Sequence, residues 1–370
     1  MSDKTQPISS NSSDIAYLNY RQLVWRRLRR NRFGLACGLV LLFLYVVALF
    51  AEFFSPHDYS ETRTIYRYTP PQAIHFVGKD GFHIRPFVYG LQRQTDPVTN
   101  EATYVPNYKD MHGIYFFTRG YSYRALGFIP TSIHVFGSDG PMFLLGTDRM
   151  GRDMLSRIIH GARVSMTVGL IGVLLSIIIG SFLGTASGYA GGVLDNGIQR
   201  LIELLSAFPS IPLWMALAAA LPPTWSSIQV YVGITIILSL LSWGGLARQV
   251  RGKVMAVRDA DYVLAARAAG AGHFYIIRKC LLPSCYGHII VTATLAIPGM
   301  ILGETALSFL GLGIRPPMTS WGVLLEEAQR VTVVLQYPWL LIPAIPVILV
   351  VICYNFLGDA LRDATDPYGG

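Results

Sequence analysis

Charged residues are scarce in this 370-residue chain: Asp, Glu, Lys and Arg together make up 14%, against roughly 25% in ordinary globular proteins. A soluble chain of this length divides into two or three domains of roughly 150 residues, and those domains would expose more surface than so few charges can cover. Cysteine is scarcer still, at 4 residues, which excludes a small disulfide scaffold. A low apolar content is also missing. Hydrophobic residues reach 52%, which excludes a disordered or collagen-like chain. The period-two alternation of a transmembrane β-barrel is absent as well. These exclusions leave a polytopic helical membrane protein, provided the apolar residues are collected into long runs.

They are. Charge-free stretches run over Phe33–Ala51, Val164–Leu194, Leu204–Ala247, Cys280–Gly303 and Val331–Gly358. About 20 apolar residues cross a ~30 Å hydrocarbon core as a helix. The third stretch is about twice that length and carries Leu221-Pro222-Pro223-Thr224-Trp225-Ser226-Ser227 at its middle, so it reads as a helical hairpin. The expected fold is all-α with six spans, at 34–54, 164–187, 199–221, 228–247, 286–310 and 338–357.

Basic residues orient these spans. Arg21, Arg26, Arg27, Arg29, Arg30 and Arg32 precede the first, and the positive-inside rule places segment 1–32 in the cytoplasm. Six spans return the tail 358–370 to the same side. The loop 248–285 then also falls inside, and it carries Arg248, Arg251, Lys253, Arg258, Arg267, Arg278 and Lys279. The net charge of +8 therefore reads as topology and attraction to anionic lipid rather than as a nucleic-acid footprint. The first span, 33–54, is too long for a signal-peptide core and has no small-x-small cleavage site, so an uncleaved anchor is expected.

Residues 55–163 are expected outside. This insert is rich in Tyr, Pro and Gly, with β-like runs such as Ile114-Tyr115-Phe116-Phe117 and turn signals such as Lys79-Asp80-Gly81, and reads as a small, mostly β or irregular subdomain. It holds His57, His75, His83, His112 and His134, but no pair has the close spacing of a ligand motif and no Cys accompanies them. Solvated or stacked histidines are expected rather than a metal site.

Catalytic signatures are missing. Gly-Lys occurs at Gly78-Lys79-Asp80 and Gly252-Lys253-Val254, each followed by the wrong residue for a phosphate-cradling loop. A zinc His-Glu-x-x-His, a Gly-x-Ser-x-Gly elbow and paired intramembrane carboxylates are absent too. The chain reads as a non-enzyme with no cofactor of its own.

The sharpest local pattern lies in the inner loop, from Asp261 through Tyr262, Ala265, Ala266, Arg267, Gly270, Ala271 and Gly272 to Leu282-Pro283. Tyr262 to Ala269 should be helical, and Gly270 and Gly272 should end the helix. On composition alone this is an interfacial helix between two spans. Ala265, Ala266, Gly270, Leu282 and Pro283, at this spacing, resemble the cytoplasmic "EAA" coupling motif of ABC importer permeases, with Leu264 where the motif has Glu and Cys280 where it has Ile. Three further blocks resemble the C-type permease subunit of dipeptide and oligopeptide importers: Leu145 to Arg163, Glu304 to Gly313 with Pro316-Pro317 and Ser320-Trp321-Gly322, and Asn355 to Pro367. The resemblance covers nearly the whole chain outside about residues 60–140, where such subunits usually have a much shorter loop.

The resemblance implies a type I ABC permease fold in a bacterial inner membrane. It implies a B-type permease partner, two cytoplasmic ATPases that hold ATP and Mg, and an extracytoplasmic solute-binding protein. The loop around Asp261–Gly272 would contact the ATPases. Cargo would be di- or oligopeptides, or otherwise nickel, opines, oligosaccharides or peptidoglycan fragments. Asp148, Arg152, Asp153 and Arg157 read either as part of a surface helix, capped by Thr147 or Asp148, or as a lip at the outer gate. Glu304, inside the fifth span, would line the translocation path, pair with a neighbouring helix, or reach interfacial water. Gly169, Gly172, Gly180 and Gly184 suggest close helix packing, including against another permease. A self-sufficient channel or secondary transporter is the competing class, and it predicts activity without nucleotide.

Overall fold

The computed structural model describes residues 20–78, 81–95 and 102–365. Most of segment 1–32, the Lys79-Asp80 turn and the end of the tail 358–370 lie outside the described residues.

Among the described residues, five helical segments are long and apolar enough to cross a membrane: Arg32–Leu49, Met154–Ala190, Ser227–Val257, His273–Phe309 and Pro338–Thr365. A short helix α1 (Tyr20–Arg30) leads into α2 (Arg32–Leu49), where the Asn31 side chain accepts a hydrogen bond from the Gly34 amide at 3.0 Å and caps the new helix. One turn, α3 (Ala51–Phe54), follows. The long helix α4 (Met154–Ala190) packs on α7 (Ser227–Val257) and α10 (Leu282–Phe309), and α2 lies against α4 and α13 (Ala344–Thr365). Met166, Ile234, Leu238, Ile301 and Trp321 fill the centre of this bundle. A Ser226–Gln229 capping box starts α7 after the expected Pro-rich turn.

The expected third span, 199–221, falls on a bent pair of helices rather than on one straight helix. Helices α5 (Gly192–Ser206) and α6 (Ser210–Ala219) meet at 84°. Pro209 has no amide proton and disfavours helical geometry at Phe208, so the first helix ends there. Pro212 is tolerated because it falls in the first turn of α6, where amide protons have no intrahelical acceptor.

The expected surface helix ahead of the second span is also corrected. Residues 154–163 are the first turns of α4 itself, and the cap is Asp153, whose side chain accepts from the Ser156 amide at 2.8 Å, not Thr147 or Asp148. The glycines of α4 serve contacts inside this chain. A Cβ at Gly180 would lie 2.9 Å from the Trp243 carbonyl oxygen, one at Gly184 would strike the Ala247 carbonyl, and one at Gly188 would lie 2.8 Å from the Arg251 carbonyl. Gly169 instead meets Ile301 of α10, and Gly172 lies between Met300 of α10 and Ser239 of α7, so the stripe packs on both neighbours within this chain.

The insert is a four-stranded antiparallel meander in the order β1-β2-β3-β4: β1 (His75–Gly78), β2 (Gly81–Thr95), β3 (Ala102–Ala125) and β4 (Ile129–Ser138). Strand β3 is longer than the short runs expected from sequence. Its first half pairs with β2 up to Gly113, and its second half pairs with β4 from Ile114. Val88, Ile114 and Met142 form a small core beneath the switch point.

Candidate functional site: the loop between α7 and α10

After α7 the chain makes a short connection and enters α8 (Asp261–Ala268). Asp261 sits in its first turn, where a negative charge favours the helix dipole. At the far end the Ala271 amide donates to the Ala266 carbonyl at 3.0 Å and the Gly270 amide to the Arg267 carbonyl at 3.0 Å. Gly270 has φ +80°, so this is a Schellman stop in which glycine accepts the left-handed conformation. Gly272 then starts the single turn α9 (His273–Tyr275), and a π-helical segment, Ile276–Leu281, leads into α10.

Burial divides the loop sharply. Val263, Ile276, Leu281 and Cys285 are buried against Leu246, Val250 and Val254 of α7. Of α8 itself only Val263 is buried. Asp261, Tyr262, Ala265, Arg267, Gly270 and Gly272 are exposed, while Ala266 and Ala271 are half-buried. Leu264, Phe274 and Tyr275 add exposed apolar surface. The loop is thus fixed from beneath by one apolar row and presents a small-residue helix flanked by aromatics.

Sequence reading missed the groups that brace this loop. Asp195 on α5 pairs with Arg251 on α7 through two contacts of 2.6 Å, and Ser187 on α4 donates to the same carboxylate. Arg258 reaches the Gly188 carbonyl at 3.3 Å. Tyr189 and His273 are joined at 2.8 Å, and the Arg267 guanidinium lies 5.2 Å from the Tyr189 ring centroid. Tyr189, Arg267 and His273 border a cavity of about 790 Å³ between the end of α4 and the loop. The available signal was Asp195, the acid that ends the charge-free run Val164–Leu194.

The set expected at an outer gate is brought together only in part. Asp148 is fully buried and accepts from the Met150 amide at 2.8 Å, the Arg152 amide at 3.0 Å and Arg152 Nε at 2.6 Å, and it pairs with Arg157. Asp153 caps α4, and burial raises its carboxyl above the ordinary carboxylate range while hydrogen bonds from Ser156 work against that shift. Arg152 and Arg157 also line a small cleft with Tyr59 and Thr319. Glu304 stands apart from these four. Fully buried, it accepts from Ser165 at 2.9 Å and Ser308 at 2.7 Å, and Ser165 in turn accepts from the Trp321 amide at 3.2 Å. Its carboxyl bridges α4, α10 and the Ser320–Trp321 turn. Among the described residues no group of three or more His, Cys, Asp and Glu is placed to hold a metal.

Residues 152–368 match the family model for the binding-protein-dependent transport system inner membrane component, and residues 19–71 match the N-terminal TM domain of oligopeptide transport permease C. A dipeptide transport system permease protein, DppC of Bacillus subtilis, is 32% identical over 351 residues, covering 95% of this chain and 86% of the relative. The oligopeptide permease OppC of Haemophilus influenzae is 42% identical over 223 residues, 60% of this chain and 69% of the relative. The glutathione permease GsiD of Pectobacterium atrosepticum is 30% identical over 343 residues, 93% of this chain and 89% of the relative. With a family model over more than half its length and a relative matched nearly end to end, the chain belongs to the binding-protein-dependent transport system inner membrane components and is a C-type permease subunit of the dipeptide/oligopeptide ABC importer family.

Proposed function

We propose that this subunit forms half of the transmembrane path of an ATP-driven importer for di- or oligopeptides, delivered by an extracytoplasmic solute-binding protein. A B-type permease supplies the other half, and two cytoplasmic ATPases bind and hydrolyse ATP with Mg. The subunit itself performs no catalysis. It crosses the inner membrane six times in a type I arrangement, counting the bent pair α5–α6 as one span, with both termini in the cytoplasm and residues 55–163 outside. Two basic clusters on the inner side support this orientation.

The observation that carries the reading is the inner loop: a short helix whose one buried residue is Val263, stopped at Gly270 and surrounded by exposed Tyr262, Phe274 and Tyr275. Such a surface docks on a partner. ATP-driven closure of the ATPases moves α8, and the spans attached through α7 and α10 rock with it. Coupling requires that the loop's contacts differ between the two states. Asp148, Arg152, Asp153 and Arg157 shape the outer mouth from beneath, and Glu304 fixes α10 against α4 beside it.

The test is Gly270→Trp in the reconstituted complex. Assembly is retained, while transport and substrate-stimulated ATP hydrolysis both fall. Wild-type coupling in that variant refutes the role assigned to the loop, and transport by this chain alone, without nucleotide, refutes the importer reading as a whole.

A further inference from the structure

The hairpin formed by the second half of β3 and by β4 has a chemistry unlike the rest of the insert. From Met111 to Ser138 it contains no Asp or Glu, yet it carries Arg119, Arg124, Tyr115, Phe116, Phe117, Tyr121, Tyr123 and Phe128. It begins above the segment that leads into α4, where Ile114 packs with Met142. It then crosses the outer end of the first span: buried His134 contacts the Glu52 carbonyl at 2.8 Å and the Tyr121 carbonyl at 3.0 Å, locking both strands onto α3. The tip at Leu126-Gly127-Phe128 lies about five residues farther on, roughly 16 Å of strand beyond that lock.

Three observations say what covers this hairpin. The unpacked face of α2 is an apolar stripe, Leu39, Leu42, Phe43, Val46 and Leu49, at the spacing of one helix face. That stripe continues through Phe53, whose ring centroid lies 6.4 Å from that of Phe117. Phe117 has φ +54°, which breaks the strand's alternation, so the adjacent Phe116 and Phe117 are both exposed, at 65% and 70%. Phe128 at the tip is 69% exposed. Arg119 and Arg124 are exposed and have no acidic partner among the described residues. Aromatic and cationic side chains without carboxylates, one helical turn past the end of an apolar span, are the composition of a membrane interface.

We propose that the β3–β4 hairpin is an interfacial anchor lying on the outward leaflet, with Phe117, Leu126 and Phe128 dipping among the lipids and Arg119 and Arg124 on phospholipid phosphates. It clamps the first span and the insert to the bilayer surface. The proposal rests on the outward placement of residues 55–163.

The test is photocrosslinking in the complete complex, reconstituted in phosphatidylethanolamine and phosphatidylglycerol vesicles. A benzophenone side chain replaces Phe117 or Phe128, with the same replacement at Leu42 as the lipid-facing reference. Phospholipid adducts at positions 117 and 128, as at 42, are expected. Adducts to the second permease or to the solute-binding protein, or no adduct beside a reactive position 42, overturn the anchor. A separate arm treats intact spheroplasts with a membrane-impermeant amine reagent. Lys109, exposed on β3, is modified if the insert faces outward, and the label on the peptide that carries position 109 is lost in Lys109→Arg. Protection of Lys109 refutes the orientation, whereas labelled Lys109 without lipid adducts refutes only the anchor.

Discussion

Asp195 and Arg251 form a two-point ion pair, with Nε on Oδ1 and Nη2 on Oδ2 both at 2.6 Å, and the pair ties the bent α5–α6 pair to the helix that leads into the α8 loop. A planar guanidinium matched to a carboxylate fixes orientation as well as distance. Arg251 also lies one turn beyond Ala247 on the α7 face that the α4 glycines approach. Motion of α8 is therefore expected to reach α5 through this pair.

In a double-mutant cycle, Asp195→Asn and Arg251→Gln are each expected to lower transport per ATP hydrolysed, and the double variant to be no worse than either single. Non-additivity of about 1 kcal/mol or more is the expected size for a charge-assisted pair with partial exposure. Strictly additive losses would show that the two residues act separately.

Asp148 is the charge partner that lets Arg157 remain buried, and both side chains are almost inaccessible. Asp148→Asn should destabilise the detergent-solubilised complex by about 3–5 kcal/mol, because it strands a buried cation. Arg157→Met in the same background should recover much of that loss. The unfolding midpoint of the two variants measures both effects, and failure of Arg157→Met to rescue would mean that Asp148 acts through its turn amides instead.

Asp153 gives a pH-dependent prediction. Burial raises its carboxyl pKa, so the native chain holds the proton more tightly than the unfolded chain. The stabilising linkage is fully present below the unfolded value and is lost as pH rises through the native one. Asp153→Asn keeps an acceptor for the Ser156 amide and has no charge to bury. It should equal the wild type in unfolding midpoint at low pH and exceed it near neutrality. A variant less stable than wild type at neutral pH would show that the charged cap is worth more than its desolvation costs.

Gly270 separates backbone geometry from side-chain bulk. At φ +80°, Asn is the side chain best able to replace glycine, while a β-branched residue is strongly disfavoured. Space around the position is open. Gly270→Asn should therefore retain most substrate-stimulated ATP hydrolysis and Gly270→Val should lose most of it. Equal loss in both would place the defect in a steric clash with the partner surface.

Much of the architecture was legible from residue order. Span positions followed from charge-free runs, because burying backbone in lipid demands helices of a fixed length. The helix over Asp261–Ala268 and its stop at Gly270 followed from Ala-rich sequence and glycine spacing, which are local effects. The bend at Pro209 was only half legible: a proline inside an apolar run is visible in the sequence, but whether it kinks a span or ends a helix depends on what receives the freed carbonyls.

The sequence by itself determined a membrane-embedded helical chain, its clusters of basic residues and its family. Tertiary structure alone decided which polar groups meet. Asp195 stands 56 positions from Arg251 and Glu304 stands 139 from Ser165, so no local pattern could pair them. It also decided that Gly180, Gly184 and Gly188 of α4 face α7 and that the β3–β4 hairpin crosses the first span at His134. Helix formation obeys neighbours three and four residues away, whereas buried charges obey whatever partner the packed bundle brings within hydrogen-bond reach.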